Sequence, residues 1–242
     1  MRLLIIRHGD PDYARDSLTE KGWREASLLA DRISRLEVRD FFVSTQGRAK
    51  DTASVTLKRM NRTSIECDWL REFSPLIKRP DLTEGNGIVW DWLPQDWTKE
   101  EDFFLKDKWA ENPVMQMGRV KESYNDVVSK FDYLLAEYGY IREGALYRAE
   151  HSNRDTLVFF CHFGVGCVLL SHLLNVSPMI LWHHTCCAPC SVTTAVSEER
   201  RNGKAIFRVT SLGDISHLYA GGEEPSFMAR FCETFDSKER HD

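Results

Sequence analysis

Residues 3–6 are a run of branched apolar side chains that stops abruptly at Arg7-His8-Gly9. An apolar run without polar alternation is typical of a short strand buried on both faces, as in a parallel sheet covered by helices. Ligands of open α/β sheets bind just beyond the carboxyl ends of the strands, where these three residues would lie. Gly9 would let the backbone turn sharply or approach a ligand closely. An ordinary turn with a solvated arginine and histidine explains the tripeptide equally well, so other segments have to decide.

Two further apolar runs end in polar residues of the same kind. Residues 41–43 precede Ser44, and Arg48 would lie in the first turn of the helix that follows. Residues 157–161 form the strongest buried strand of the sequence and end at His162. A carboxylate, Glu72, follows a short strand over 64–67. If these strands lie side by side, we expect their polar ends to converge on one rim of the sheet.

The remaining pattern alternates helices with strands. Predicted helices cover residues 19–36, 47–60, 119–137 and 164–174; predicted strands cover 41–44, 64–67, 156–161, 191–197 and 205–210. Asn202-Gly203 is a hairpin turn signal between the last two strands. The order predicts a three-layer α/β/α sandwich whose mixed sheet is mostly parallel, with one antiparallel late edge.

The combined motifs resemble those of the histidine phosphatase superfamily, which includes acid-type phosphatases and phosphoglycerate mutases. The matching segments are Arg7-His8-Gly9, Leu18-Thr19-Glu20-Lys21-Gly22, Glu25-Ala26, Ser44 with Arg48-Ala49 and Thr52-Ala53, Leu70 with Glu72, Glu122-Ser123, His162-Phe163-Gly164 and Ser216-His217-Leu218. Their order and approximate spacing agree over residues 1–72 and 120–220. The resemblance implies a phosphoglycerate mutase-like fold of branch 1.

The resemblance also implies roles for single residues. His8 would carry a phosphohistidine intermediate, and Arg7, Arg48 and His162 would form the phosphate pocket. Glu72 would be the proton donor, and no cofactor or metal would be needed. Gly9 and Ser17 are further candidates for contact with the phosphate.

Elementary chemistry supports this division of labour. A neutral imidazole is available as a nucleophile near pH 7. Arginine offers planar bidentate donors that match phosphate oxygens and stays charged at any working pH. Glu72 can act as an acid only if burial or a bound dianion raises its pKa, whereas the arginines lower it.

The chain departs from the family pattern at two places. Many relatives carry a phosphate-contacting asparagine soon after the nucleophile, but ungapped counting gives Ala14 here. A shorter loop would bring Asp16 or Ser17 to that place, although an acid is a poor phosphate ligand. The Gly-x-Trp-Glu-Gly run of many phosphatases is also missing, and Phe73-Ser74-Pro75-Leu76 stands in its place.

Residues 73–118, here called the insertion, interrupt the alternation. The insertion is rich in aromatic residues and proline, with Trp90, Trp92, Trp97 and Trp109 in a short span. Insertions of this kind commonly form lids, so we expect a cap over the site whose aromatic groups line the substrate entrance. In the alternative interpretation, the tryptophans only pack against each other.

A second cluster, His183-His184-Thr185-Cys186-Cys187-Ala188-Pro189-Cys190, has the C-x-x-C spacing. Four ligands within eight residues would have to form a zinc site without a distant partner, which makes metal binding a weak hypothesis. A redox pair is an equally weak one. Packing is the favoured interpretation.

Composition limits the class of protein. The chain has 242 residues, 42% of them hydrophobic and 29% charged, which suits one histidine phosphatase domain over 1–242. Its net charge of −5 predicts no binding to nucleic acid or to an anionic membrane surface. Seven cysteines suit a reducing cytoplasm, and a strand beginning at residue 3 leaves no room for a signal peptide. The expected partner is a small phosphorylated molecule, and a homodimer is compatible with the sequence.

Three functions remain open, and the sequence favours the first. It is a phosphatase that hydrolyses a small phosphate monoester through His8. The second is a phosphoglycerate-type mutase, for which the Trp- and Pro-rich insertion is a poor match. The third is a non-catalytic module that binds a phosphorylated ligand, which would have no need of His8 and Glu72 together.

Overall fold

A computed structural model of the chain describes residues 1–228, 232–237 and 239. The strands are β1 (Arg2–Arg7), β2 (Pro11–Asp12), β3 (Ser17–Leu18), β4 (Asp40–Ser44), β5 (Ile65–Cys67), β6 (Leu76–Ile77), β7 (Gly87–Ile88), β8 (Tyr140–Glu143), β9 (Leu146–Ala149), β10 (Thr156–Cys161), β11 (Val192–Arg201) and β12 (Lys204–Asp214). The α-helices are α1 (Glu20–Ile33), α2 (Gly47–Met60), α3 (Pro94–Trp97), α4 (Pro113–Met117), α5 (Val120–Glu137), α6 (Phe163–Leu174), α7 (Pro178–His184) and α8 (Ser216–Ala220). Short 3₁₀ helices cover Asp68–Leu70, Glu101–Phe104 and Trp109–Glu111.

An eight-stranded sheet in the order β5-β4-β10-β1-β11-β12-β9-β8 forms the centre of the fold. The pairs β1–β10, β10–β4 and β4–β5 are parallel. The pairs β1–β11, β11–β12, β12–β9 and β9–β8 are antiparallel. The sheet is therefore parallel on one side of β1 and antiparallel on the other.

Alternate residues of β1 supply the cores on the two faces of the sheet. Leu3 and Ile5 belong to the core beneath α5 and α6, while Leu4 and Ile6 belong to the core beneath α1 and α2. A strand apolar on both faces is needed because helices cover both sides. This arrangement confirms the predicted α/β fold with helices on both faces of a large mixed sheet.

The antiparallel half of the sheet is larger than the sequence predicts. The hairpin of β8 and β9 was not predicted. It extends the antiparallel side of the sheet to four strands. Its strands have four residues each and contain Arg142, Glu143 and Arg148, so they show no apolar run. The hairpin turn contains Gly144 at a φ of +61°, a conformation that glycine adopts at no steric cost.

The insertion packs as an extension of the main core. Trp92, Trp97, Trp109 and Phe103 are all buried and belong to the same hydrophobic cluster as α5 and α6. Trp109 contacts Trp182 of α7 with ring centroids 5.8 Å apart. The packing interpretation therefore applies to these three tryptophans, and Trp92 and Trp97 also line a groove beside His183 and His184. Trp90, which is only partly buried, contacts Phe163, the residue after His162, with ring centroids 5.7 Å apart.

No helix in the described part of the chain is both long and apolar enough to cross a membrane.

Replacing Trp97 by alanine should therefore destabilise the whole fold. Trp97 is 1% exposed and stacks on His183 with ring centroids 5.0 Å apart. Loss of such a ring typically costs about 3–5 kcal/mol of unfolding free energy. Urea unfolding should show this loss, whereas Leu105→Ala, at a side chain 47% exposed in the same insertion, should cost less than about 1 kcal/mol. Equal midpoints for the two variants would contradict the packing described here.

Candidate active site

The register of the parallel strands brings the polar strand ends together. Arg7 at the end of β1 pairs with Cys161 at the end of β10, so His8 and His162 follow side by side. Their ring centroids are 5.0 Å apart and their planes are inclined by 57°. Both imidazoles are almost fully buried, at 2% and 1% exposure. The structure therefore places the two sequence-predicted histidines in contact at one rim of the sheet.

His8 is held in one tautomer by its own loop. Its Nδ1 lies 2.8 Å from the carbonyl oxygen of Gly9, which can only accept, so Nδ1–H donates and Nε2 carries the lone pair. Burial lowers the pKa of His8 well below its usual value, and the charges of Arg7 and Arg48 lower it further. The imidazole is therefore neutral and can attack through Nε2.

Gly9 is required by the close packing behind His8. A Cβ at Gly9 would lie 2.9 Å from the carbonyl oxygen of Gly22 and 3.2 Å from Sγ of Cys190. The N–H of Gly9 donates to Oγ1 of Thr52 over 2.9 Å. Gly9 thus fixes the loop that carries His8, and the structure shows its N–H directed to Thr52 rather than to an open pocket.

His162 and Arg48 each have a buried polar atom that no described residue satisfies. Nε2 of His162 lies 2.8 Å from the hydroxyl of Ser44, while its Nδ1 is buried without a hydrogen-bond partner. Nη1 of Arg48 donates to Asp16 over 2.6 Å, while its Nε is buried without a partner. If Ser44 donates to Nε2, the ring proton of His162 lies on Nδ1. The N–H groups at Nδ1 of His162 and Nε of Arg48 are then both available to donate to an anion.

The guanidinium of Arg7 is held from the other side. Nη1 donates to the carbonyl oxygen of Cys187 over 2.5 Å, and Nη2 donates to that of Met228 over 3.4 Å. The guanidinium also lies 5.9 Å from the centroid of the Phe163 ring. Arg7 is 5% exposed, so its charge lies in the interior beside His8.

Glu72 caps the helix that follows His162. Its Oε1 accepts from the N–H groups of Phe73 (2.8 Å) and Val165 (3.1 Å), and a Cβ at Gly164 would lie only 2.7 Å from this oxygen. The residue is partly exposed, but its carboxyl is enclosed, and burial raises the pKa of Glu72 despite the opposing amides and the arginines. A carboxyl with a raised pKa is suited to act as a proton donor.

Asp16 and Ser17, the two residues expected at the place of the missing asparagine, make different contacts. The Asp16 carboxylate accepts from Arg48 and from the N–H of Gly47, at 2.6 and 2.7 Å. The Ser17 hydroxyl donates to Asp51 over 2.5 Å. Asp16 therefore contacts Arg48 directly, while Ser17 is directed to α2.

Gln46 and Glu25 are positioning residues to which the sequence analysis assigned no role, although Glu25 lies in one of the matching segments. Oε1 of Gln46 accepts from the backbone N–H of Glu72 over 2.7 Å and so fixes the approach to the acid. Glu25 is fully buried and accepts from the N–H groups of Asp10 (2.8 Å) and Ser226 (3.1 Å). Burial raises its pKa to about 7. Glu25 thereby ties the His8 loop to the segment 223–228. Nothing in a single sequence distinguishes such groups from surface side chains.

The His- and Cys-containing segment is part of the packing. His183 accepts from the backbone N–H of Trp92 over 3.2 Å, and the N–H of Cys190 donates to the carbonyl oxygen of His8 over 3.1 Å. Cys187 and Cys190 are buried free thiols. In the described ranges, no three His, Cys, Asp or Glu side chains are grouped so that they could hold a metal ion. His217, from the closing motif, contacts Arg32 of α1 over 3.2 Å.

The lowered pKa of His8 makes a prediction for its titration. The ring should stay neutral and keep its Nδ1–H tautomer between pH 8 and 5.5, because protonation would place a buried charge beside two arginines. Nitrogen-15 spectra should show constant imidazole signals over this range, among them one set that His8→Asn removes. A titration of that set with a midpoint near 6.5 would contradict the described environment.

Comparisons with known proteins show the family to which this chain belongs. The family model of the histidine phosphatase superfamily (branch 1) matches residues 3–209. A comparison with curated protein sequences gave no match.

Solved structures with the same fold include three phosphatases. A phosphoserine phosphatase variant from Entamoeba histolytica, in complex with phosphoserine, is 19% identical, with 90% of this chain and 98% of that chain covered and a TM-score of 0.58. The mycobacterial glucosyl-3-phosphoglycerate phosphatase with VO3 is 18% identical, with 87% and 98% covered and a TM-score of 0.53. The α-ribazole phosphatase of Shigella flexneri is 16% identical, with 89% and 97% covered and a TM-score of 0.52. These likenesses show the fold. Since the family model spans most of the sequence, the chain belongs to the histidine phosphatase superfamily, branch 1.

Proposed function

We propose that this protein is a phosphatase that hydrolyses a small phosphate monoester through a phosphohistidine on His8. The observation that carries the proposal is the pair of unsatisfied buried atoms, Nε of Arg48 and Nδ1 of His162. An unsatisfied buried polar group costs about 1–3 kcal/mol, so such atoms are rarely left without a hydrogen-bond partner. They lie around a neutral imidazole beside the buried Arg7. A phosphoryl group offers oxygen atoms to these donors and a phosphorus atom to His8.

The first step transfers the phosphoryl group to the enzyme. Nε2 of His8 attacks phosphorus and forms the P–N bond, while the P–O bond to the alcohol breaks in line. Glu72 gives its proton to the departing alkoxide, so a neutral alcohol leaves. Arg7, Arg48 and His162 hold the equatorial oxygens, whose charge has to be stabilised in the transition state.

The second step returns the enzyme to its starting state. Glu72, now ionised, takes a proton from a water molecule whose oxygen attacks phosphorus. The P–N bond breaks and its electron pair returns to Nε2. Inorganic phosphate then leaves, and the same carboxyl has served as acid and base.

We assign the alcohol to a groove beside Glu72. It has a volume of about 660 Å³ and is lined by Asp68, Arg71, Ser74, Arg119 and Glu122 among others. Charges of both signs suit a small polar alcohol better than an apolar one. The similar structures are named for phosphoserine, glucosyl-3-phosphoglycerate and α-ribazole. All three are named as phosphatases, each of a different compound. The names therefore support the phosphatase reaction but do not identify the alcohol.

For the compartment we propose the cytoplasm. Cys67, Cys161, Cys167, Cys187 and Cys190 are buried free thiols, and burial raises the pKa of Cys67 to about 11. Thiols that stay protonated and unpaired are usual in a reducing compartment.

The proposal is tested with two substrates that differ in their leaving group. The wild type should release phosphate from both p-nitrophenyl phosphate and an alkyl phosphate. Glu72→Gln should slow the alkyl ester at least about a hundredfold more than the nitrophenyl ester, because an alkoxide needs a proton to depart and nitrophenolate does not. His8→Asn should abolish turnover of both, while His151→Asn, at an exposed histidine, should change neither.

Two results would count against the proposal. Equal losses for both esters in Glu72→Gln would remove Glu72 as the acid. Isomerisation of a phosphorylated substrate without phosphate release would point to a mutase instead.

A further inference from the structure

The phosphate-pocket arginine already has an anionic partner within the protein. Oδ1 of Asp16 accepts from Nη1 of Arg48 over 2.6 Å, and its Oδ2 accepts from the N–H of Gly47 over 2.7 Å. Arg48 is 8% exposed, so most of its charge is withdrawn from water. The Asp16 side chain is about half exposed, at 46%. One carboxylate therefore binds both donors at the start of α2.

Backbone geometry holds Asp16 in this position. Its φ is +48°, in the left-handed region that residues other than glycine, asparagine and aspartate rarely adopt. A Cβ at Gly47 would lie 2.0 Å from the carbonyl oxygen of Asp16, so only glycine at 47 allows the loop to approach α2 this closely. The ion pair is thus the product of a specific loop conformation at a specific glycine.

The ion pair cancels much of the charge that a phosphate would meet. The positive charge beside the two histidines comes from Arg7 and Arg48. Burial lowers the pKa values of His8 and His162 and keeps both rings neutral. Hydrogen bonds from Gly47 and Arg48 keep the pKa of Asp16 below its usual range, so the carboxylate is ionised at neutral pH. One of the two positive charges is therefore already compensated. A phosphate dianion that binds Arg48 is therefore repelled by the nearby carboxylate of Asp16.

We propose that Asp16 sets a low affinity for phosphate oxyanions by competing for Arg48, and that it thereby hastens release of the inorganic phosphate product. The inference rests on the proposed function, because it assigns Arg48 to the phosphate. It also has a consequence for recognition. Because the phosphoryl group is bound weakly, much of the substrate affinity has to come from contacts of the alcohol with the groove beside Glu72.

The test compares phosphate binding by the wild type and by Asp16→Asn. Asparagine keeps the shape, one acceptor oxygen and tolerance of a positive φ, but removes the charge. Isothermal titration with inorganic phosphate at pH 7.5 should show at least about tenfold tighter binding to Asp16→Asn, from the lost repulsion between nearby charges. The product-inhibition constant for phosphate should fall by the same factor. Asp12→Asn is the control. It removes a negative charge four residues away from Asp16, but Asp12 pairs with Arg15 and not with Arg48.

The outcomes separate this inference from the proposed function. If the wild type binds phosphate and Asp16→Asn binds it equally or more weakly, Asp16 only positions Arg48. This result would overturn the inference but not the proposed function. An equal gain in Asp12→Asn would overturn it as well, because a general charge effect would then be sufficient. A wild type that neither binds phosphate nor releases it from any ester would overturn the proposed function. Thermal melts of the variants establish that each is folded.

Discussion

The parallel pairing of β1 with β10 is the constraint on which the site depends. Its register sets Arg7 against Cys161, so the residues that follow, His8 and His162, leave the sheet at the same level. β4 pairs with β10 in the same direction and ends at Ser44, whose hydroxyl meets His162. A shift by one residue would move every side chain of a strand to the other face. The two-sided apolar core that fixes this register therefore also fixes the distance between the two imidazoles.

Two carboxylates of the site show how the environment divides one kind of group into two roles. Each accepts from the first turn of a helix: Asp16 from Gly47 of α2, and Glu72 from Val165 of α6. Asp16 is half exposed and paired with Arg48, which keeps its pKa low. The carboxyl of Glu72 is enclosed beside the neutral histidines, and burial raises its pKa. Under the proposed function, Asp16 is therefore a permanent anion and Glu72 a proton donor, a division that carboxylate pairs of acid–base sites commonly show.

The sequence predicted the parts of the structure that depend on local pattern. The helix over 47–60 and the strand ends at Arg7 and His162 followed from apolar runs that stop at polar residues. The hairpin of β8 and β9 was missed because its strands have only four residues each and contain no long apolar run. The insertion was ambiguous because aromatic content is the same in a cap and in a core; only the packing of Trp109 on Trp182 decides. The ion pair of Asp16 depends on a positive φ and on the approach of a loop to α2, and neither leaves a periodic signal.

The most direct test of the account is to trap the intermediate on His8. The enzyme is mixed with excess p-nitrophenyl phosphate, quenched in base within milliseconds, and its peptides are analysed by mass spectrometry. The account predicts a phosphate on His8 that is stable in base and lost in acid, and it predicts none in His8→Asn. Rapid phosphate release with no phosphohistidine on His8, or with phosphate on another residue, would contradict the assignment of this imidazole as the nucleophile.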